Sequence, residues 1–170
     1  MGQFLTGVTV VAVVDPETAA VHGMTANAFM SVSLEPALIV VSIGGATHTH
    51  QILERATRFG VSILREGQER VALRLAGKTG MTEQLDFVEQ PSGPVLRDCL
   101  VSVCADVAST VRAGDHTLFV GSVTAINTRA THARPLAYHR GRFVSMGSPT
   151  GDWPVDIADA WAGSLHSGWG

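Results

Sequence analysis

The chain has 170 residues, of which 45% are hydrophobic and 16% are charged. This length is typical of a single domain with its own hydrophobic core. The formal net charge of -3 argues against a protein that binds nucleic acid or an anionic membrane, because such proteins are normally basic. The mean hydropathy of +0.22 is high for a small monomer and predicts that further surface is buried in a homodimer.

The sequence contains no recognisable secretory signal and no apolar run of the roughly 18 residues that a membrane helix needs. We therefore expect a protein of the reducing cytoplasm that is not bound to a membrane. Cys99 and Cys104 fit this expectation. Five residues of strand separate their Cα atoms by roughly 16 Å. Because a disulfide requires a separation below about 7 Å, both cysteines are predicted to be buried thiols.

Extended segments dominate the predicted secondary structure. Strands are predicted over residues 6–14, 21–29, 37–43, 59–64, 100–111, 117–128 and 135–146. Two helices are predicted, one over residues 50–57 with Thr49 as N-cap and one over residues 68–76 that ends at Gly77. Residues 78–91 are predicted to form a loop. Because few βαβ units occur, the pattern indicates a mainly β, antiparallel barrel with short helices packed outside it.

Residues 1–146 carry this pattern as one domain, and residues 147–170 form a different C-terminal tail. The tail contains all three tryptophans, three aspartates and no lysine or arginine. Three roles are open for it: strengthening of a dimer, action as a lid or docking arm, or disorder.

Several motifs for nucleotides, metals and nucleophiles are absent, among them GxxxxGK[ST], GxGxxG, CxxC, HExxH and GxSxG. His48 and His50 have a spacing that a metal could use on a strand. No cysteine or aspartate cluster supports such a site, so we predict no bound metal.

Residues 22–36 are rich in small and hydroxylated side chains. This segment lies between two β-forming runs, residues 7–14 and 37–43, that must be buried. Such a segment lets the backbone pass close to a flat ligand, with amides and hydroxyls left to bind it. We interpret it as the site of a flavin ring, although a polar strand end with capping hydroxyls would show the same pattern. The candidate residues are Thr25, Ala26, Asn27, Ala28, Ser31, Val32 and Ser33.

A second candidate segment follows, where a strand ends in Gly44-Gly45 and a helix begins. The N-terminus of a helix presents unpaired amides and a partial positive charge, which suits a phosphate. Capping by Thr49 alone would also explain the pattern. The candidate residues are Ser42, Ile43, Thr47, His48 and Thr49.

Two further candidates lie near the C-terminal strands. His116 follows a tight Gly-Asp turn and opens a strand, so its position is fixed, although an exposed histidine is the simpler interpretation. Strand alternation would place Tyr138, Arg140 and Arg142 on one face, where an arginine could meet a pyrophosphate or carboxylate. A solvated strand face is the alternative.

Taken together, these segments resemble the short-chain flavin reductases, which are the reductase components of two-component flavin-dependent monooxygenases. The matching segments are residues 4–11, 22–29, 31–36, 59–64, 75–78, 114–117 and 138–141. They span most of the chain in the expected order, so the match is more specific than any single motif. Ala28 stands where the family usually has Ser or Thr, and the tryptophan-rich tail is not part of its pattern.

The resemblance implies a Greek-key split β-barrel and a homodimer that binds FAD or FMN and uses NADH or NADPH. In the family, the segment matching residues 25–33 holds the isoalloxazine and the segment matching residues 42–49 holds the phosphate end. The residues matching His116 and Arg140 lie near the nicotinamide and the cofactors, and they are the candidate catalytic residues. The resemblance also assigns Phe59, Gly60, Lys78 and Tyr138 to cofactor binding.

The implied reaction is hydride transfer from the nicotinamide to the flavin, with His116 as a positioning residue and no acid or base required. Reduced flavin would then leave for a separate monooxygenase. NADH is expected over NADPH because no cluster of Arg and Lys offers itself for a 2′-phosphate, although Arg65, Arg70 and Arg74 could lie near one. The alternative is an electron-transfer protein that retains its flavin and does not turn over NADH.

Overall fold

A computed structural model describes residues 2–78, 85–90, 93–128 and 133–147. The predicted tail therefore lies, from residue 148 onward, outside the described residues. Within these ranges, neither helix has the length and apolarity needed to span a bilayer.

Twelve strands and two helices occur in the described part of the chain. In chain order they are β1 (Thr6–Gly7), β2 (Thr9–Val14), β3 (Val21–Ala26), β4 (Phe29–Leu34), β5 (Ala37–Gly44), α1 (His48–Leu53), β6 (Arg58–Ile63), α2 (Glu69–Leu75), β7 (Phe87–Gln90), β8 (Gly93–Leu96), β9 (Val101–Ala113), β10 (His116–Thr128), β11 (Ala137–His139) and β12 (Arg142–Val144).

Seven strands form the main sheet, in the order β3-β2-β6-β9-β10-β5-β4, and every neighbouring pair is antiparallel. The predicted mainly β, antiparallel class is therefore confirmed. Among the described residues, the edge strands β3 and β4 do not pair with each other, so the sheet is not closed into a barrel. The chain passes from one edge to the other through Asn27 and Ala28, and the Ala28 carbonyl accepts a bond from the Ser42 amide.

The strand β2 is buried on both faces and separates two hydrophobic cores. Val11 and Val13 face the larger core, which contains Phe59 and Phe119. Val10 faces a smaller core beneath α2. Full burial of an aliphatic or aromatic side chain contributes roughly 1.5–3 kcal/mol, so these cores fix the register of the strands that carry the site.

The C-terminal hairpin differs from the single strand predicted over residues 135–146. The strands β11 and β12 pair with each other, and β11 pairs with β1 in a separate three-stranded sheet. Arg140 and Gly141 both have positive φ, 51° and 78°, which is the geometry of a type I′ turn. The predicted alternation of Tyr138, Arg140 and Arg142 along one strand is therefore wrong, because Arg140 occupies the turn.

Other element boundaries also differ from prediction. The predicted strand over residues 21–29 ends at Ala26, and residues 29–34 form the separate edge strand β4. The loop predicted over residues 78–91 contains β7, which pairs with β8. The helix α2 confirms the prediction over residues 68–76 to within one residue at each end. Cys99 precedes β9 rather than lying in it, and both cysteines are buried thiols, as predicted.

Candidate functional site

A first pocket, here called the helix pocket, lies between α2, the end of β3 and the β11–β12 hairpin. Its volume is about 440 Å³. Lys78 and Arg142 bring two cationic side chains to its wall. Tyr138 and Phe143, whose ring centroids lie 5.4 Å apart, add aromatic surface. The pocket therefore combines apolar walls with positive charge.

The second pocket, here called the sheet pocket, lies on the outer face of β4, β5 and β10 and has a volume of about 630 Å³. Alternation along β5 explains its composition. Ile39, Val41 and Ile43 point into the core, so Val40 and Ser42 point outward into the pocket. Leu118, the partner of Ser42 on β10, completes a mainly apolar wall.

The helix pocket and the sheet pocket adjoin each other. Asn27, Tyr138 and Gly141 line both of them. The Asn27 side-chain amide donates to the Thr6 hydroxyl at 3.3 Å, which holds this side chain at the boundary. An elongated ligand could therefore place a flat ring in one pocket and an anionic group in the other.

The third pocket, here called the turn pocket, lies where the β9–β10 turn meets α1 and has a volume of about 580 Å³. His116 and Asp115 lie at its rim, together with Gly45. The His116 Nδ1 lies 2.8 Å from the Asp115 Oδ1, and this contact orients the imidazole ring from a side chain that is 94% exposed. This bond and the charge of His116 lower the pKa of the Asp115 carboxyl below its usual value.

The segment predicted to bind a ring is divided by the structure. The Thr25 hydroxyl donates to the Ala72 carbonyl of α2 at 2.7 Å, so its proton is used within the protein and not offered to a ligand. Ala26 is buried, and its carbonyl accepts from the Thr9 hydroxyl at 2.7 Å. Asn27 and Ala28 line the sheet pocket.

Ser31, Val32 and Ser33 lie farther along the edge strand β4. The pairing of β4 with β5 is irregular between Ser31 and Ser33, so Val32 projects with 49% of its surface exposed. None of the three residues lines the helix, sheet or turn pocket.

The segment predicted to bind a phosphate is also divided. Ser42 reaches the sheet pocket, whereas Ile43 and Thr49 are buried. Thr47, and not Thr49, caps α1, because its hydroxyl accepts from the His50 amide at 3.2 Å and donates to the Gly44 carbonyl at 2.8 Å. The His48 ring is exposed and packs against His22 with centroids 4.7 Å apart.

Phe59 and Gly60 were assigned to the cofactor by the resemblance, and the structure places them elsewhere. The Phe59 side chain is fully buried in the larger core. Gly60 is packed against the backbone of Pro94. Neither residue lines any of the three pockets. Their packing shows a role in the core, and the cofactor role implied by the resemblance stays a prediction.

Leu118 is a lining residue that the sequence analysis does not single out. It could have been found from alternation, because it lies two residues after His116 on the same face of β10. Arg142 is one of the two arginines that the sequence offers for a pyrophosphate or carboxylate, and it reaches the helix pocket from β12, after the turn at Arg140. Within the described part of the chain, no group of three or more His, Cys, Asp or Glu side chains could hold a metal ion.

The apolar sheet pocket and the cationic helix pocket beside it can together accommodate a long, flat, anionic ligand. Comparison with known sequences is more specific. The model of the flavin reductase like domain matches residues 1–147. This chain therefore belongs to the flavin reductase like family.

Individual relatives agree with this assignment. An NADH-dependent flavin reductase of a Rhodococcus species is 39% identical over 147 residues, which are 86% of this chain and 82% of that protein. The styrene monooxygenase flavin reductase of Pseudomonas putida S12 superposes with a TM-score of 0.79 at 33% identity and covers 88% of this chain and 95% of that one. The NADH:FAD oxidoreductase of Streptomyces globisporus C-1027, solved with NAD and FAD fragments, gives a TM-score of 0.80 at 31% identity over 88% and 90% of the two chains.

Proposed function

We propose that this chain transfers a hydride from NADH to FAD or FMN and releases the reduced flavin to a separate flavin-dependent monooxygenase. The observation that carries the proposal is its membership of the family, together with the adjoining helix and sheet pockets. The Rhodococcus relative is NADH-dependent, and the Pseudomonas putida relative is the reductase of styrene monooxygenase. These names favour a reductase over a protein that retains its flavin.

The two adjoining pockets suit a flavin in size and chemistry. Ligand sites commonly measure about 300–1,000 Å³ and combine apolar walls with a few polar groups. The apolar outer face around Ala28, Ser42 and Leu118 would hold the isoalloxazine. Lys78 and Arg142 would hold the phosphate, since each cation can form charge-assisted bonds with it. A bound flavin supplies the capacity to accept two electrons from NADH.

The turn between β9 and β10 would position the nicotinamide. His116 and Leu118 point to the same face of β10, and the partner of His116 on β5 is Gly44, two residues from Ser42. His116 is therefore roughly 7 Å along the strand from the sheet pocket. Asp115 holds the ring of His116, so the imidazole orients a substrate without exchanging a proton. Arg140 lies at the rim of the sheet pocket.

A homodimer completes the proposal. Phe4, Met30 and Val111 are 74%, 60% and 52% exposed, respectively. Met30 and Val111 lie on strands that flank the β5–β10 pair, so part of this apolar surface continues from the sheet pocket. The covering of such a surface by a second copy would remove it from water. We propose the cytoplasm as the location, because both cysteines are buried thiols.

The proposal is tested by the loss of absorbance at 340 nm when the purified protein is mixed with NADH. We expect oxidation that requires the protein and rises with the concentration of added FAD or FMN, with the flavin recovered in the filtrate after ultrafiltration. A yellow protein that retains its flavin and does not oxidise NADH or NADPH would instead support the flavin carrier.

A further inference from the structure

A buried histidine lines the turn pocket from α1 and has none of the roles described above. His50 of α1 is 7% exposed. Its Nε2 lies 2.8 Å from the hydroxyl of Thr117 on β10, at full hydrogen-bonding distance. Its ring packs edge to face against Phe119, with centroids 5.6 Å apart.

The bond to Thr117 acts on the strand residue next to His116. Successive side chains of a strand point to opposite faces, so Thr117 points toward α1 and the core when His116 points away from them. His50 therefore holds β10 from the core side, at the second residue of the strand. Movement of Thr117 along or away from the sheet would carry the His116 backbone with it.

A second contact joins the segment that leads into α1 to the β9–β10 turn. The Gly45 amide donates to the Asp115 carbonyl at 2.9 Å. Residue Gly44 is close enough to His116 that an added Cβ would lie 3.6 Å from its Nε2. Contacts from α1 and from the segment before it are therefore made to the two chain neighbours of His116, Thr117 and Asp115.

Packing alone does not account for His50. A leucine or phenylalanine would fill the space beside Phe119 without bringing a polar ring into a buried site, where an unpaired nitrogen is costly. Glu54 Oε2 lies 3.7 Å from the other ring nitrogen, on a side chain that is 60% exposed, so this contact is weak. The hydrogen bond to the Thr117 hydroxyl is the interaction that a leucine or phenylalanine at this position could not make.

We propose that His50 is a positioning residue for the nicotinamide site: through Thr117 it fixes the backbone that presents His116. This inference rests on the proposed function, because it assigns the nicotinamide to His116. It adds a residue buried in α1 to a site whose other members lie on the surface.

Four single variants of the full chain test the proposal in pairs. His50→Leu and Thr117→Val remove the bond while preserving most of the volume. His50→Gln and Thr117→Ser retain a group that can bond at each position, and the glutamine amide can donate or accept. For each variant we would measure KM for NADH, kcat, the flavin dissociation constant and the thermal midpoint.

We expect His50→Leu and Thr117→Val each to raise KM for NADH about two- to tenfold, the range that one hydrogen bond supports, with the flavin dissociation constant within twofold of the parent. His50→Gln and Thr117→Ser should restore the parent value. The double variant His50→Leu/Thr117→Val should be no worse than the poorer single variant.

Two results would overturn the inference. If all four variants had the same KM for NADH as the parent, the bond between His50 and Thr117 would not position His116. Parallel losses of flavin and NADH binding that follow the thermal midpoint would show a structural role only. The parent protein serves as the separate test of function: if it does not oxidise NADH with any flavin, the proposed function fails before the variants are compared.

Discussion

At the scale of the residue, the bond between Asp115 and His116 is the most specific electrostatic feature of the candidate site. The carboxylate lies 2.8 Å from Nδ1 and sits on an exposed turn. Asp115 is ionised at neutral pH, and the bond lowers its pKa further, so the carboxylate keeps orienting the ring under mildly acidic conditions as well. The second ring nitrogen is thereby kept available on the side facing Gly44.

Replacement of His116 by alanine should raise KM for NADH by about two- to tenfold, which corresponds to the loss of one bond to substrate. Flavin affinity should change little, since His116 does not line the helix or sheet pocket. Steady-state kinetics at 340 nm and flavin titration would measure the two quantities.

Asp115→Asn should also raise KM for NADH, but by less than His116→Ala does. Asp106→Asn is its matched control, because Asp106 is also exposed and its ion pair with Arg58, at 3.9 Å, lies on a different part of β9. A loss of flavin affinity in His116→Ala with unchanged NADH kinetics would contradict the assigned role.

Gly60 provides a test of the core assignment. A Cβ at this position would overlap the Pro94 carbonyl oxygen and lie 2.8 Å from Val95 Cγ1. Gly60→Ala should therefore destabilise the protein by about 1–3 kcal/mol through overpacking. At roughly 2–4 °C per kcal/mol, the thermal midpoint should fall by several degrees.

Gly7→Ala is the matched control, because nothing lies within 4 Å of a Cβ there and its thermal midpoint should stay near that of the parent. If Gly60→Ala retained the parent midpoint but lost flavin binding, the cofactor role implied by the resemblance would be correct.

At the scale of the element, the turn between β2 and β3 is organised by one carboxylate. Asp15 accepts hydrogen bonds from the Glu17 amide and the Thr18 hydroxyl, both at 3.0 Å. The backbone bond from Glu17 is the main cause of its lowered pKa, and the nearby Arg55 guanidinium acts in the same direction.

A carboxyl whose pKa is lower in the folded state stabilises the fold above its unfolded pKa of about 3.9 and loses this contribution as pH falls. Asp15→Asn should therefore be less stable than the parent at pH 7. The difference should narrow as the pH drops below about 4. Urea midpoints measured across this range would show the convergence, and a difference that is independent of pH would contradict it.

The elements themselves were largely predictable, because alternation and β-branched runs are local signals. The residue that caps α1 could not be predicted from the sequence. Thr47 and Thr49 are equivalent locally, and the choice is made by contacts of residues 44–47 with each other and with the distant Asp115. The turn at Arg140 also escaped prediction, because Arg-Gly lacks the Asn or Asp that usually marks a type I′ turn.

The candidate site was predictable in part, for a similar reason. Asn27, Ser42 and Lys78 reach the pockets from three separate segments that the sequence had indicated. Phe59 occurs in an equally clear motif and lies in the core. A sequence motif shows that particular residue types are required in a segment. Only the fold shows whether they are required for packing or for binding a ligand.

At the scale of the whole molecule, the exposed apolar face is the observation that supports the proposed homodimer. Val111 lies on β9, directly opposite Leu118 on β10, and does not line any of the three pockets. Val111→Asp should convert a dimer into a monomer in light scattering after gel filtration, because a buried unpaired charge is costly. Val111→Thr is the control of similar shape. A parent protein that is already monomeric would contradict the proposed homodimer.

The most direct measurement is the anaerobic reduction of flavin, followed at 450 nm while NADH is followed at 340 nm. The proposed function predicts that flavin is bleached in step with NADH loss, only when the protein is present, and more slowly when the transferred hydrogen of NADH is replaced by deuterium. Unbleached flavin with either nicotinamide cofactor would contradict hydride transfer by this chain.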